Sequence, residues 1–261
     1  MLSPTQFLDR YAETGAAKTK KPFIQLLLLG ILAGFLIGLG GSVTNIACFG
    51  IENPSIAKVT AGLLFPFGLI MVIFTGAELF TGNCLIPISI LAHKTTFGNM
   101  LRNWITVYLG NFAGAVALAA ACAFMGQFSM GDSQLAVYTM QVASTKCSLS
   151  FGKAFVFGIL CNVLVCVAVA CATCASSAIG KAVGAYLPIA FFVINGFEHC
   201  VANMFYIPAG LFAKILYPAL GADFAALTWG SFLLRNLLPV TLGNIVGGCG
   251  LAVLWFYGHR K

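Results

Sequence analysis

Polar and apolar positions along this chain fall into long blocks rather than short alternations. Residues 22–51, 103–131 and 154–180 contain no Asp, Glu, Lys, Arg or His. Each stretch exceeds the roughly 20 residues an α-helix needs to cross the hydrocarbon core of a bilayer. Taken with the other apolar blocks, they predict six spans, at residues 23–49, 59–92, 103–126, 152–176, 182–213 and 227–257. The second and fifth are too long for one straight crossing. Each carries a Glu near its middle and is interrupted by Gly and Pro, with Pro66 and Pro87 around Glu78, and Pro188 and Pro208 around Glu198. The expected class is an all-α membrane protein whose second and fifth helices are broken. Ahead of the spans, residues 1–21 are polar, with no apolar core of a cleavable signal. Ser3-Pro4 reads as a helix start, and Leu2, Phe7, Leu8 and Tyr11 share a face. That pattern predicts a short amphipathic helix lying on the bilayer surface.

The pattern also repeats. Residues 101–114 read LRNWITVYLGNFAG and residues 234–247 read LRNLLPVTLGNIVG, matching at Leu101, Arg102, Asn103, Val107, Leu109, Gly110, Asn111 and Gly114. GAELFTGN at 76–83 and GFEHCVAN at 196–203 share G-x-E-x-x-x-x-N, which pairs Glu78 with Glu198 and Asn83 with Asn203. Gly30-Ile31-Leu32 echoes Gly158-Ile159-Leu160 more weakly. Spans one to three therefore match spans four to six in order. Three is odd, so the second copy must sit upside down relative to the first. Inverted repeats of this kind build channels and secondary transporters, with their sites near the midplane where interrupted segments meet. The expected organisation is an N-terminal helix at 1–21, a first repeat at 22–126, a linking loop at 127–151 and a second repeat at 152–261.

Composition agrees with this picture. The chain of 261 residues is 60% hydrophobic and 8% charged, against about 25% charged in soluble domains. Its net charge of +7 lies mostly at the ends and in loops, which points to membrane orientation and away from nucleic acid. Six spans put both termini on one side. Arg10, Lys18, Lys20, Lys21, Lys94, Arg102, Lys181, Arg260 and Lys261 fall on that side, and Lys58, Lys146, Lys153, Lys214 and Arg235 on the other. The positive-inside rule then places both termini in the cytoplasm, in the cell membrane. The ten Cys residues lie mostly in apolar segments. Cys171-x-x-Cys174 has no second pair, so packing is the favoured reading for it and no metal or cofactor is expected.

Only Glu78, Glu198 and His199 are ionisable deep within the spans, where a charged side chain costs on the order of 2.5–3.5 kcal/mol even on the lenient scale. Glu78 and Glu198 occupy equivalent places, as braces satisfying the free N–H groups of two broken helices would. His199 pairs instead with Leu79, so the symmetry breaks at the one side chain that titrates near neutral pH. That mismatch marks His199 as a path residue. Thr81, at the break in span two, is either a hydroxyl that satisfies freed backbone or a donor to a passing solute. Lys146, without a repeat counterpart, reads as a solvated loop charge. Asn111 and Asn244, each in L-G-N-x-x-G, are expected to bond between helices beside close-packed glycines, and Asn162 beside Gly158 is of the same kind.

GAELFTGN, FFVINGFEHCVANM and NLLPVTLGNIVGG resemble the signature stretches of the formate/nitrite transporter family. Length, span number and motif order agree over nearly the whole chain. The resemblance implies an aquaporin-like protomer assembled as a homopentamer, with one path per protomer, a central His at His199 and a Thr at Thr81. It also implies that Lys146, Asn162 and Glu198 surround the path, and that Phe65, Leu69, Leu79, Val165 and Phe192 form two apolar constrictions. The family moves formate, nitrite, hydrosulfide, lactate and similar anions. The expected function is therefore a channel or transporter, not an enzyme, for a small weak-acid anion. Formate is the leading substrate and hydrosulfide or nitrite the alternatives, with His199 donating a proton. An aquaporin would want paired Asn-Pro-Ala motifs, and an ammonium channel two intramembrane His; neither is present. A sodium-coupled carrier stays open, because backbone-carbonyl ion sites leave little sequence trace.

Overall fold

The computed structural model describes residues 1–259. Arg260 and Lys261, counted above among the terminal-side charges, lie outside the described residues. In chain order the helices are α1 (Pro4–Lys20), α2 (Phe23–Cys48), α3 (Pro54–Leu64), α4 (Pro66–Thr75), α5 (Phe80–Asn83), α6 (Pro87–Leu91) and α7 (Phe97–Phe124). They continue with α8 (Gln134–Cys147), α9 (Phe151–Cys174), α10 (Ala178–Asn195), α11 (Cys200–Leu216), α12 (Pro218–Gly221) and α13 (Leu238–His259). A π-helical stretch, Ser231–Leu237, leads into α13. Six segments are long and apolar enough to span: α2, α3 with α4, α7, α9, α10, and the π-stretch with α13. The shorter apolar pieces 80–91 and 200–216 complete spans two and five.

Both breaks follow the same local chemistry. Gly76 (φ 67°) and Gly196 (φ 69°) end α4 and α10 in the left-handed region that a Cβ disfavours. Ala77 N donates to Val72 O and Phe197 N to Phe192 O, the wrap that closes a helix C-terminus at glycine. Three extended residues follow before α5 and α11 begin. Long spans paired by close backbone approach surround these breaks, α2 against α7 and α9 against α13. A Cβ on Gly110 would lie 2.7 Å from Leu27 O, so that pairing requires glycine. Tyr108 and Thr241, repeat mates in sequence, hydrogen-bond to each other through their hydroxyls at 2.9 Å. A residue that touches its own mate lies on the axis relating the two halves.

Two expectations change. The helix α1 forms as read, with Ser3 and Gln6 in a reciprocal capping box, but its apolar face is not laid on lipid. Phe7, Leu8 and Tyr11 are buried in the protein, with the Phe7 ring 4.8 Å from that of Trp255. Arg102 closes the helix end by donating to the carbonyls of Thr19 and Lys21. On the exposed side the Lys94 ammonium, 2.8 Å from Glu13, holds that carboxyl below its usual range. The segment 127–151, expected as a loop, carries α8. Sequence periodicity understated it, because α8 mixes polar with apolar residues while packing along α11. Of the cysteines assigned to packing, Cys171 is exposed and Cys174 only half-buried.

Candidate functional site

The extended breaks bring residues 77–79 and 197–199 to the centre of the molecule, where α5 and α11 start. The first N–H of each short helix needs an acceptor. Asparagines supply it, and not the two glutamates that the sequence nominated. Phe80 N donates to Asn111 Oδ1 and Cys200 N to Asn244 Oδ1, both at 2.9 Å. Each amide also donates twice, Asn111 to Gly30 O and Glu78 O, and Asn244 to Gly158 O and Glu198 O. One asparagine per repeat thus pins a neighbouring span and both sides of the break. Asn162 is buried and donates to Asn244 O at 2.6 Å; its Oδ1 has no hydrogen-bond partner among the described residues, and it lines neither of the cavities described below.

The carboxylates are occupied elsewhere. Glu78 accepts from Lys18 at 2.8 Å, Lys21 at 2.6 Å and Asn83 at 2.8 Å. Glu198 accepts from Lys146 at 2.8 Å, Asn203 at 2.7 Å and Asn236 at 3.2 Å. Asn83 also donates to Asn103, and Asn203 to Asn236. Asn103 and Asn236 then hold the carbonyls of Lys18 and Lys146. Lys146 is therefore no free loop charge, and Lys18 is its counterpart. The twofold relation includes α1 and α8, which share too little sequence for alignment to reveal it. Lys18, Lys21, Asn103 and Asn236 were missed as site residues, although Asn103 and Asn236 stand in the LRN repeat. Stripping the cation from a buried carboxylate is costly. Lys146→Ala is expected to lower stability by about 3 kcal/mol, and adding Glu198→Gln to recover most of it. Thermal unfolding in detergent measures both.

Two cavities approach the centre from opposite ends. The first, ≈ 330 Å³, lies under α1 and is lined by Lys18, Lys21, Leu69, Glu78 and Leu79. The second, ≈ 800 Å³, is lined by Lys58, Lys146, Lys153, Phe65, Phe192, Glu198 and His199. Leu79 and His199, the mismatched repeat mates, each face the cavity of their own half. Phe65 and Phe192 meet edge to face at 5.7 Å, and the Phe192 ring stacks on His199 at 5.9 Å. Val165 is buried and lines neither cavity.

Between the cavities Thr81 and His199 are buried and hydrogen-bonded, Oγ1 to Nε2 at 2.8 Å. His199 is also the N-cap of α11, its Nδ1 accepting from Ala202 N at 3.0 Å. An accepting Nδ1 carries no hydrogen, so the neutral ring bears its proton on Nε2 and donates it to Thr81. The Thr81 hydroxyl hydrogen is then not used by the ring; Thr81 itself is fully buried and lines neither cavity. The arrangement is a buried His–Thr pair whose imidazole lines the larger of two lysine-containing cavities.

The sequence profile of the formate/nitrite transporter family matches residues 5–258. The formate channel FocA of Haemophilus influenzae is 39% identical over 260 residues, covering 95% of this chain and 90% of that protein. A probable formate transporter of Methanothermobacter thermautotrophicus is 36% identical, covering 99% and 97%. Among solved structures, a pentameric formate channel with formate bound superposes at TM-score 0.83 with 35% identity, over 90% of this chain and 96% of its own. An ion channel of the same family gives TM-score 0.87 with 26% identity, over 98% and 100%. Inverted halves, paired breaks and a buried His–Thr pair thus occur in a chain that shares nine-tenths or more of its length with each of these proteins, and the protein belongs to the formate/nitrite transporter family.

Proposed function

We propose that this protein conducts small monovalent anions of weak acids, formate above all, and that His199 supplies the proton that carries them across the barrier. The observation behind this reading is the Thr81–His199 pair set between two lysine-containing cavities. A bare anion between Phe65, Phe192, Leu69 and Leu79 would lose its water without replacement, at high cost. A weak acid avoids that cost by crossing neutral. As an anion enters, the ring takes a second proton at Nδ1 from water in the larger cavity, which His199 and Ala202 both line, and gives up its bond to Ala202 N. The Nε2 proton passes to Thr81 while the Thr81 proton passes to the anion, which leaves as the neutral acid. The ring, now neutral with its proton on Nδ1, regains a proton at Nε2 from water and releases the one on Nδ1, which restores the bond to Ala202 N.

The relatives' names support channel rather than enzyme chemistry. The apolar faces of the spans, with Phe23, Ile24, Ile105, Leu187 and Leu254 exposed, face lipid and neighbouring protomers in a homopentamer. The termini face the cytoplasm in this reading, which the excess of Lys and Arg on the terminal side supports, with α1 covering the cavity on that side. Flux of formate, nitrite and hydrosulfide into proteoliposomes, compared across pH, tests the reading. Formate flux is expected to rise as pH falls, because the step consumes a proton, and to be indifferent to sodium. A sodium requirement would instead make the protein a coupled carrier, and hydrosulfide or nitrite moving faster than formate would change the substrate.

A further inference from the structure

A hydroxyl pair that plays no part in the proposed proton step sits beside the Phe65–Phe192 constriction. Thr44, near the end of α2, is buried, and its Oγ1 lies 2.6 Å from the Tyr206 hydroxyl of α11. Both residues line the larger cavity together with Phe65 and His199. The Tyr206 ring stacks on Phe65, with centroids 6.4 Å apart and planes 17° from parallel. The Lys146 ammonium stands 5.4 Å over the same ring. A hydroxyl pair therefore lines the cavity next to Phe65, with the Lys146 ammonium over the Tyr206 ring.

The direction of the bond within this pair is not fixed. Thr44 Oγ1 lies 2.8 Å from Gly41 O. While Thr44 donates to that carbonyl, it must accept from Tyr206, and the phenol oxygen offers the cavity only lone pairs. If Thr44 turns its hydrogen to Tyr206 instead, the phenol is released to donate into the cavity. Threonine back-bonding to its own helix is weak, and a helix carbonyl has a second partner in the helix ladder. Both states keep the Thr44–Tyr206 bond. One presents an acceptor and the other a donor, at the same atom.

We infer that Thr44 and Tyr206 form a binding station for the solute on the Lys146 side of the constriction, donating to a carboxylate and accepting from the corresponding carboxylic acid. A solute that changes protonation state inside the barrier needs both kinds of partner at its edge. A fixed donor would hold the anion but leave the acid's O–H without an acceptor, and a fixed acceptor would take that O–H but repel the anion. The cation above the ring strengthens the phenol as a donor when an anion is present. This inference rests on the proposed passage of a weak acid.

The test is formate uptake into proteoliposomes by the full-length protein and its Tyr206→Phe variant, measured against formate concentration. The substitution keeps the ring on Phe65 and removes only the hydroxyl. One hydrogen bond corresponds to about a two- to tenfold change in binding. KM is expected to rise by that factor, with the maximal rate changed less than about twofold. Thr44→Val, which removes the partner that lets the phenol reverse, is expected to move KM in the same direction, and it serves if Tyr206→Phe does not assemble. An unchanged KM in the assembled variants, or a fall in maximal rate alone, would mean that Tyr206 only wedges Phe65, and the station is overturned. Absence of formate uptake by the unsubstituted protein overturns the proposed function and this inference with it; normal uptake with an unmoved KM overturns the inference alone.

Discussion

Formate flux in a His199→Asn protein is expected to lose its acid-stimulated component, falling by about 10²-fold at low pH toward the slow, pH-insensitive leak. Asparagine is chosen because His199 has two jobs. Its Nδ1 caps α11 through Ala202 N, and asparagine is among the better N-caps, so the start of the helix survives the change. Its Nε2 bonds Thr81, and there asparagine offers an amide that takes no proton. His199→Phe removes both functions and is expected to lose the same flux component, plus about 1 kcal/mol of stability from the missing cap. The sign of the pH effect follows from the proton balance. The proposed step needs an imidazolium, so on that proposal flux grows as pH falls and flattens once proton supply stops limiting it. Equally fast and equally pH-sensitive uptake in both variants would sink the role of the ring.

The second large effect is on assembly of the centre. Asn244→Ala removes the acceptor of Cys200 N and the donors to Gly158 O and Glu198 O in one change. Leaving a buried polar group without its partner costs about 1–3 kcal/mol, so a loss of at least about 3 kcal/mol is expected, enough to lower the midpoint of thermal unfolding in detergent markedly. Asn111→Ala breaks the corresponding three bonds and should match it. A difference of more than about 2 kcal/mol between the two would show that the halves are not braced alike. Asn162→Ala, by contrast, removes one bond, to Asn244 O, and is expected to cost no more than about 1.5 kcal/mol.

Much of this was legible in the chain itself. The breaks were announced by Gly76 and Gly196 inside over-long apolar blocks, because a left-handed helix end is a local event that a glycine makes cheap. The repeat was visible at LRN and LGN because those residues make contacts that the fold needs twice. His199 stood out because its mate is Leu79, and the structure does place those two on different cavities. What failed was the assignment of partners. A carboxylate suits a helix start, so local pattern points to Glu78 and Glu198 as caps; which acceptor reaches that N–H depends on where α7 and α13 pass, which no local pattern encodes.

Lys146 and α1 show the same limit. A lysine ahead of a span is solvated unless a distant carboxylate turns toward it, and Glu198 lies 52 positions away. An amphipathic helix can cover lipid or protein equally well, and only the presence of Trp255 and Gly82 beneath it decided for protein.

By itself the sequence determined the membrane environment, the six spans, the two breaks and the inverted halves, since apolar length, glycine position and internal repetition are properties of neighbours along the chain. Tertiary structure alone decided that asparagines and not glutamates accept the first N–H of the half-helices, that Lys18 mirrors Lys146, and that His199 donates to Thr81. Those contacts join residues between 31 and 118 positions apart, and the geometry of packed spans, not local preference, sets which of several competent polar groups arrives first.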